Sequence, residues 1–131
     1  MKVITIREPF ASLIATSKKK IETRSWKTNY RGKIYIHAGL SKVTKEYDIS
    51  NISYLLQDLK YSYGYIICEA ELIDCIYMTK EYIEDLKSNN YQEYLVGKYE
   101  EGRYAWILDN VKPLENKIEV KGKLGIWNYE K

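Results

Sequence analysis

The run from Gly64 to Asp74, GYIICEAELID, constrains the fold more than any other part of the sequence. Its first half is apolar at consecutive positions, which is typical of a strand that is buried on both faces of a sheet. Glu69 and Glu71 then share one face of the predicted strand, because side chains alternate along a strand. Acids on a sheet usually point to solvent. We therefore predict a central strand with these two glutamates on its solvated side or, alternatively, in a cleft.

Shorter segments with strand-like alternation surround this run. They are residues 2–7, 21–26, 33–38, 103–109 and 117–120. Residues 28–32, TNYRG, have turn chemistry between the second and third of these segments, so those two strands are candidates for a β-hairpin. The glycines of the segment 122–127, GKLGIW, predict a close approach of the backbone to another group.

Short helical segments separate the strands. Pro9 opens a helix that ends near Thr16 and Ser17, and a loop followed by a helix is predicted within residues 40–61. Thr79 caps a helix that continues to about residue 87, and residues 92–96 form another helix before Gly97. Many short strands with a few helices predict one α+β domain over residues 1–131, built as a small, partly open β-barrel with helices packed around it.

Composition excludes several classes of protein. Two cysteines and one histidine in 131 residues provide neither a disulfide framework nor the usual ligands of zinc, so we predict no metal and no cofactor. Cys68 lies in the apolar run and is expected to pack as a small hydrophobe. No segment reaches the length of about 20 apolar residues that spans a membrane, and the expected location is the cytoplasm.

The segment from Lys18 to His37 concentrates the positive charge of the chain. It holds seven Lys and Arg residues and one acid, Glu22, whereas the whole chain has a net charge of only +3. Such asymmetry is typical of a site for an anionic partner, most often the phosphates of nucleic acid. An alternative for Lys18, Lys19 and Lys20 is that they complement the dipole at the end of the preceding helix.

The strand predicted at residues 21–26 places Glu22, Arg24 and Trp26 on one face, because alternate side chains share a face. Glu accepts a hydrogen bond from an exocyclic amine, Arg binds a phosphate or a base edge, and Trp stacks on a base. This face therefore predicts a nucleotide-reading surface. The alternative is a solvated strand with an internal Glu–Arg ion pair and a core Trp.

The stretch from Ile4 to Gly39 resembles the opening of ASCH domains, which belong to the PUA-like superfamily. The family pattern is an early Pro-Trp helix, then Gly-x-Lys-x-x-Glu-x-Arg, Trp, Tyr-Arg-Gly and an apolar strand that ends in His-Ala. The matching residues here are Pro9, Phe10, Ser17, Lys19, Glu22, Arg24, Trp26, Tyr30, Arg31, Gly32, His37 and Ala38. Weaker similarities occur at residues 64–67, 104–106 and 121–127. Phe replaces the usual Trp at position 10, and Ser replaces the usual Gly at position 17.

This resemblance implies a PUA-like mixed or antiparallel β-barrel with a cleft in which Lys19, Glu22 and Arg24 converge. It also implies binding of RNA, another nucleic acid or a nucleotide. Lys19, Arg24 and Arg31 would then neutralise phosphate. Trp26 and Tyr30 would stack on bases. Ser17 costs more than Gly at a positive φ, so the turn before Lys19 is expected to differ.

The resemblance also implies a second class of function. Some compact ASCH relatives are amidohydrolases that act on N4-acetylcytidine through a Lys–Thr–Glu set, and ribonuclease activity is suggested for others. Lys19 matches the family lysine, but Glu22 stands where those enzymes have the Thr, so no hydroxyl nucleophile is available there. Lys19 and Glu22 are the catalytic candidates, and Glu71 or Glu69 the candidate strand acid. A domain that binds a partner other than nucleic acid is a third alternative.

Overall fold

The structure, a computed structural model, describes residues 1–42 and 50–130. Its strands are β1 (Lys2–Ile6), β2 (Ile21–Arg24), β3 (Gly32–Ala38), β4 (Tyr65–Tyr77), β5 (Tyr104–Glu119) and β6 (Ile126–Asn128). Its helices are α1 (Phe10–Ala15), α2 (Ser53–Leu56), α3 (Lys80–Asn89) and α4 (Tyr91–Leu95), and a 3₁₀ turn spans Ser50–Ile52. Residues 43–49 of the loop predicted within residues 40–61 lie outside the described residues. The short helix α2 falls in its second half.

All six strands belong to one curled sheet that forms a half-barrel, with the strand order β2-β5-β4-β3-β1-β6. β1 runs parallel to β3, and the other neighbours are antiparallel. The mixed sheet with short helices around it confirms the predicted α+β class and the partly open barrel. Among the described residues, no helix has the length and apolar character needed to cross a membrane.

β4 is the central strand that the apolar run predicts. It lies between β3 and β5, and Ile66, Ile67 and Cys68 on it are buried. Burial of Cys68 raises the pKa of its thiol to about 12, so this side chain acts as a small apolar group in the core. The strand continues to Tyr77, three residues beyond the predicted end.

The predicted hairpin between the second and third strands is wrong. β2 pairs with β5, in a register that joins Glu22 to Trp106, and β3 lies between β1 and β4. β3 takes this inner position because Ile34 and Ile36 join the main core beneath α1, where Ala11 and Ile14 are also buried. The segment between β2 and β3 therefore crosses from the edge of the sheet to its interior instead of making a tight turn.

The prediction of two separate strands near the end of the chain is also wrong. The two strands predicted at residues 103–109 and 117–120 are parts of one strand, Tyr104–Glu119, which follows β4 along most of its length. The register between these two strands shifts at several bulges, and Pro113 lies within this irregular stretch. Bulges bend and twist a strand. One long strand can therefore include residues such as Pro113, although their sequence predicts an interruption between two strands.

Ser17 occupies the turn before Lys19, at the position where the family pattern has glycine. Ser17 has φ of +61°. Its N–H donates to the Ile14 carbonyl at 3.0 Å, and the Lys18 N–H donates to the Leu13 carbonyl at 2.9 Å. This pair of bonds is the Schellman arrangement that ends many helices. Ser17 therefore adopts at this helix end the left-handed conformation that glycine takes at lower cost.

We predict that Ser17→Gly stabilises the protein. A residue with a β-carbon in the left-handed region costs about 1–2 kcal/mol, and the greater freedom of glycine in the unfolded chain offsets about 0.5–1 kcal/mol of the gain. The free energy of unfolding, measured by urea denaturation, should rise by about 0.5–1 kcal/mol. Ser17→Ala is the control, because it keeps the β-carbon and should give no gain. A loss of stability in the glycine variant would contradict this account of the turn.

A basic cleft as the candidate functional site

A cleft of about 850 Å³ opens beside β2, which is an edge strand of the sheet. Its lining comes from five parts of the chain, which are the end of β1 with the start of α1, β2 with its flanking residues, the end of β3 with the residues after it, the end of α4 with the following loop, and the loop between β5 and β6. These parts are spread over most of the chain, from Thr5 to Leu124. The cleft therefore exists only in the folded protein.

The cleft lining is strongly basic. Among the residues that the structure describes, its basic side chains are Arg7, Lys19, Arg24, Lys98, Arg103, Lys121 and Lys123, and its single carboxylate is Glu22. Only Lys19 and Arg24 come from the basic segment of residues 18–37. The positive field of the cleft is therefore built mainly by residues that are far from that segment in sequence.

Lys19 is buried in the wall of the cleft, with 1% of its surface exposed. Its Nζ donates a hydrogen bond to the Val96 carbonyl at 2.6 Å and lies 3.9 Å from Oε1 of Glu22. Burial lowers the pKa of this ammonium below its ordinary value, whereas the carboxylates of Glu22 and Glu93 act in the opposite direction. The chain thus places a desolvated cation at the surface of a cavity.

Glu22 uses one of its two oxygens inside the protein. Its Oε2 accepts hydrogen bonds from Nε of Arg24 at 3.0 Å and from Nη2 of Arg24 at 2.9 Å. Its Oε1 accepts no hydrogen bond from the described residues and faces the Lys19 ammonium. Arg24 is held further by a bond from Nη2 to the Thr5 carbonyl at 2.8 Å. An acceptor oxygen and a desolvated ammonium therefore stand side by side at the cleft.

Trp26 lies at the mouth of the cleft, beyond the end of β2. Its ring packs edge-on against Trp106, with centroids 4.7 Å apart, and its carbonyl accepts a hydrogen bond from the indole N–H of Trp106. The Trp26 side chain is 38% exposed, so one face remains open for contact with a ligand. β2 ends at Arg24, two residues before the end of the predicted strand. Glu22, Arg24 and Trp26 nevertheless line the same cavity.

The segment from α4 to the start of β5 forms one wall of the cleft and is tied to the edge of β2. The buried carboxylate of Glu93 accepts hydrogen bonds from the N–H groups of Lys20 at 2.8 Å and Ile21 at 3.2 Å. Arg103 Nη2 donates to the Thr23 carbonyl. Burial raises the pKa of Glu93, while the Lys19 ammonium and the two N–H groups oppose this rise. These side chains satisfy the edge of β2 that no strand covers.

His37 forms part of the cleft floor. Its Nε2 donates to the Val120 carbonyl at 2.7 Å, which leaves Nδ1 to accept from Oγ1 of Thr5 at 3.2 Å in the neutral ring. The indole N–H of Trp127 donates to the same Thr5 oxygen at 3.0 Å. The single histidine is therefore a hydrogen-bonded part of the framework that holds β1, β3 and β6 together.

Other residues predicted for the site lie elsewhere. Tyr30 and Arg31 do not line the cleft: the Tyr30 hydroxyl donates to the Lys33 carbonyl, and Arg31 bonds to backbone carbonyls and lies 3.7 Å from Asp74. Glu69 pairs with Lys33 at 3.3 Å, and Glu71 is exposed and accepts from Asn110. Both glutamates lie outside the cleft, on the solvated side of β4.

Sequence reasoning missed most of the basic lining and the buried Glu93. Lys98, Arg103 and Arg7 stand alone in their segments, and nothing in their sequence surroundings distinguishes them from ordinary surface residues. Lys121 and Lys123 belong to the weaker family similarity at residues 121–127, which is the one signal that pointed to them. Within residues 1–42 and 50–130, no three His, Cys, Asp or Glu side chains group together in a way that could hold a metal ion.

Comparison with known proteins identifies the family. The sequence profile of the ASCH domain matches residues 4–118. Activating signal cointegrator 1 from Homo sapiens and from Mus musculus are each 24% identical to the chain over 136 residues, which is 97% of this chain and 22% of the relative. The chain therefore spans about a fifth of the length of these curated relatives.

Solved structures agree with the family assignment at the level of the fold. The crystal structure of ASCH from Zymomonas mobilis matches 90% of this chain and 72% of its own, with a TM-score of 0.57 and 20% identity. A point mutant of the same bacterial protein matches 90% of this chain and 74% of its own, with a TM-score of 0.56 and 20% identity. At this identity the likeness concerns the fold alone.

We predict that Glu22→Gln lowers the pKa of Lys19 further. Glu22 is the charged neighbour that most raises this pKa, so removing its negative charge disfavours the ammonium while keeping the shape of the side chain. Side-chain NMR of the lysine ammonium groups, followed against pH, should show Lys19 titrating below 10.5 in the wild type and lower still in the variant.

Lys33 serves as the internal control in the same spectra. It pairs with Glu69 outside the cleft, and this partner raises its pKa. Its titration should therefore stay the same in both proteins. A Lys19 midpoint that does not move, or that rises, in Glu22→Gln would contradict the electrostatic coupling described for this pair.

Proposed function

The chain belongs to the ASCH domain family, and from that premise we propose that it binds nucleic acid, with RNA as the expected polymer, in the basic cleft. The ligand in this proposal is a nucleic-acid strand or a nucleotide. Lys19, Glu22, Arg24 and Trp26 hold it together with the exposed lysines of the lining, Lys98, Lys121 and Lys123. It rests on the geometry of the cleft and on family membership.

The charge of the cleft carries this proposal. In residues 1–42 and 50–130, seven basic side chains and a single carboxylate line the cavity of about 850 Å³. Like charges held this close repel each other, and a concave site with low-dielectric walls focuses their field on any anion that enters. Phosphate groups neutralise such a cluster and release the counterions of the nucleic acid, which is the main source of affinity for such ligands. The cavity also falls within the usual size range of ligand sites, about 300–1,000 Å³.

The lining divides into two kinds of contact. Lys98, Lys121 and Lys123 are exposed, so their long side chains are available for contact with phosphates. Lys19 and Glu22 are fixed within the wall and present a donor beside an acceptor, an arrangement that suits the hydrogen-bonding edge of a base. The open face of Trp26 offers a stacking surface, which contributes about 1–3 kcal/mol per base in single-strand binding proteins.

We predict that Lys98→Ala, Lys121→Ala and Lys123→Ala combined weaken binding to a labelled single-stranded RNA by at least about tenfold at low salt. Each lost phosphate contact should also reduce the slope of log affinity against log salt by about 0.7 for a single strand, and the three together by about 2. Fluorescence anisotropy at several salt concentrations measures both quantities. Duplex RNA and DNA in parallel titrations define the preferred polymer.

A second triple variant provides the control for charge. Lys33→Ala, Lys80→Ala and Lys112→Ala remove the same number of positive charges from exposed positions that do not line the cleft. Because Lys33 belongs to the basic segment of residues 18–37, this variant also tests whether residues of that segment outside the cleft contribute to binding. We expect near-normal affinity and slope. Equal losses in the two triple variants would show that binding follows net charge, and no binding by the wild type would overturn the proposal.

Hydrolysis of an amide is a second candidate, which one observation favours. Lys19 combines burial, a lowered pKa and a neighbouring carboxylate at the surface of a cavity. A lysine whose pKa is lowered in this way is better suited to act as a base or nucleophile than an ordinary solvated lysine. Against it, Oε2 of Glu22 is occupied by Arg24, and Glu71 is outside the cleft, so the described lining residues include no second acid beside Lys19.

N4-acetylcytidine is the substrate that tests this candidate. If the protein is an amidohydrolase, it should release cytidine, and Lys19→Met should reduce turnover by about 10²–10⁴-fold, the usual contribution of a general base. Lys20→Met is the control, because this neighbouring lysine is exposed and does not line the cleft. Chromatography of the nucleosides measures the product. No cytidine from the wild-type protein would exclude the reaction, and binding would then stand alone.

A further inference from the structure

The loop between β5 and β6 carries an apolar residue in an unusual position. Leu124 is 98% exposed, more than any other large apolar side chain among the described residues. Single exposed leucines are common on protein surfaces and need no explanation by themselves. This one, however, lines the cleft together with Lys121 and Lys123 of the same loop. A fully exposed leucine is thus held at the mouth of a strongly basic cavity.

The loop is fixed at both of its ends. At one end, the Val120 carbonyl accepts the hydrogen bond from His37, and Gly122 packs so closely that an added β-carbon would lie 2.8 Å from both Cε1 of His37 and Oγ1 of Thr5. At the other end, Trp127 is buried and its indole N–H donates to Thr5. The exposure of Leu124 is therefore built into the fold by buried contacts on either side.

Two other exposed apolar side chains line the same cleft. Leu40 and Trp26, which are 64% and 38% exposed, line the same cavity as Leu124. The mouth therefore combines apolar surfaces with lysines. Such a combination matches a ligand that is both planar and apolar on its faces and anionic along its backbone. Proteins that insert Leu or another apolar side chain between bases use this kind of wedge to unstack them.

We propose that Leu124 is a wedge that separates one base of a bound strand from its neighbour, so that the base enters the cleft towards Lys19 and Glu22. This inference rests on the proposed function and adds the state of the ligand, namely an unstacked base. Lys121 and Lys123 hold the phosphates on either side of the wedge. Unstacking costs a few kcal/mol per step, which contacts of the base inside the cleft offset.

Fluorescence of 2-aminopurine tests the proposal, because stacking quenches this base. A set of single-stranded RNA oligonucleotides carries the probe at successive positions, and each is measured with saturating wild-type protein. We expect a severalfold increase at one position of the strand. Leu124→Ala should remove at least about half of that increase, while Kd measured by anisotropy changes by less than about threefold, because the lysines still bind the phosphates.

Ile73→Ala is the matched control, since Ile73 is an exposed apolar residue on β4 that does not line the cleft. It should leave the fluorescence increase intact. The wedge is overturned if Leu124→Ala gives the wild-type increase, or if the wild type binds the strand with no increase at any position. Absence of binding by the wild type at micromolar concentrations would overturn the proposed function itself, so the two failures are distinguishable.

Discussion

The buried ammonium of Lys19 is the constraint on which the candidate site depends. Burying a charge is costly unless it is paired and hydrogen-bonded, and removing one partner of a buried pair typically costs about 3–5 kcal/mol. Lys19 meets this requirement through the Val96 carbonyl and the nearby Glu22 and Glu93. These partners belong to β2 and α4. β2 and α4 must therefore stay in contact for the Lys19 ammonium to remain buried. This contact forms one wall of the cleft.

The same region solves a second problem of the fold. β2 lies at the edge of the sheet, and its outer N–H groups would be unsatisfied without cover. Glu93 accepts from two of these groups, so the carboxylate that balances Lys19 also closes the edge. The buried cluster of Lys19, Glu22 and Glu93 therefore both stabilises the edge of the sheet and forms part of the candidate site. The cluster explains why a glutamate far from the basic segment is nearly inaccessible to solvent.

The far side of the cleft is built on a different principle. There the buried set of His37, Thr5 and Trp127 holds the β5–β6 loop, and Gly122 fits against it because a side chain would have no space. The result is a buried, hydrogen-bonded frame that carries exposed lysines and one exposed leucine. A frame of this kind limits the ordering cost when a ligand binds, since only the long side chains need to adjust.

The sequence by itself determined the α+β class, the buried strand β4, the Thr79 cap of α3 and the family motif with Lys19, Glu22 and Arg24. These features depend on local spacing or on a contiguous motif, so the chain displays them directly. Tertiary structure alone decided that β2 pairs with β5 and that Lys98, Arg103 and Lys121 join the cleft. The physical reason is that strand pairing and convergence of distant side chains follow from burial of the whole core, which no single segment encodes.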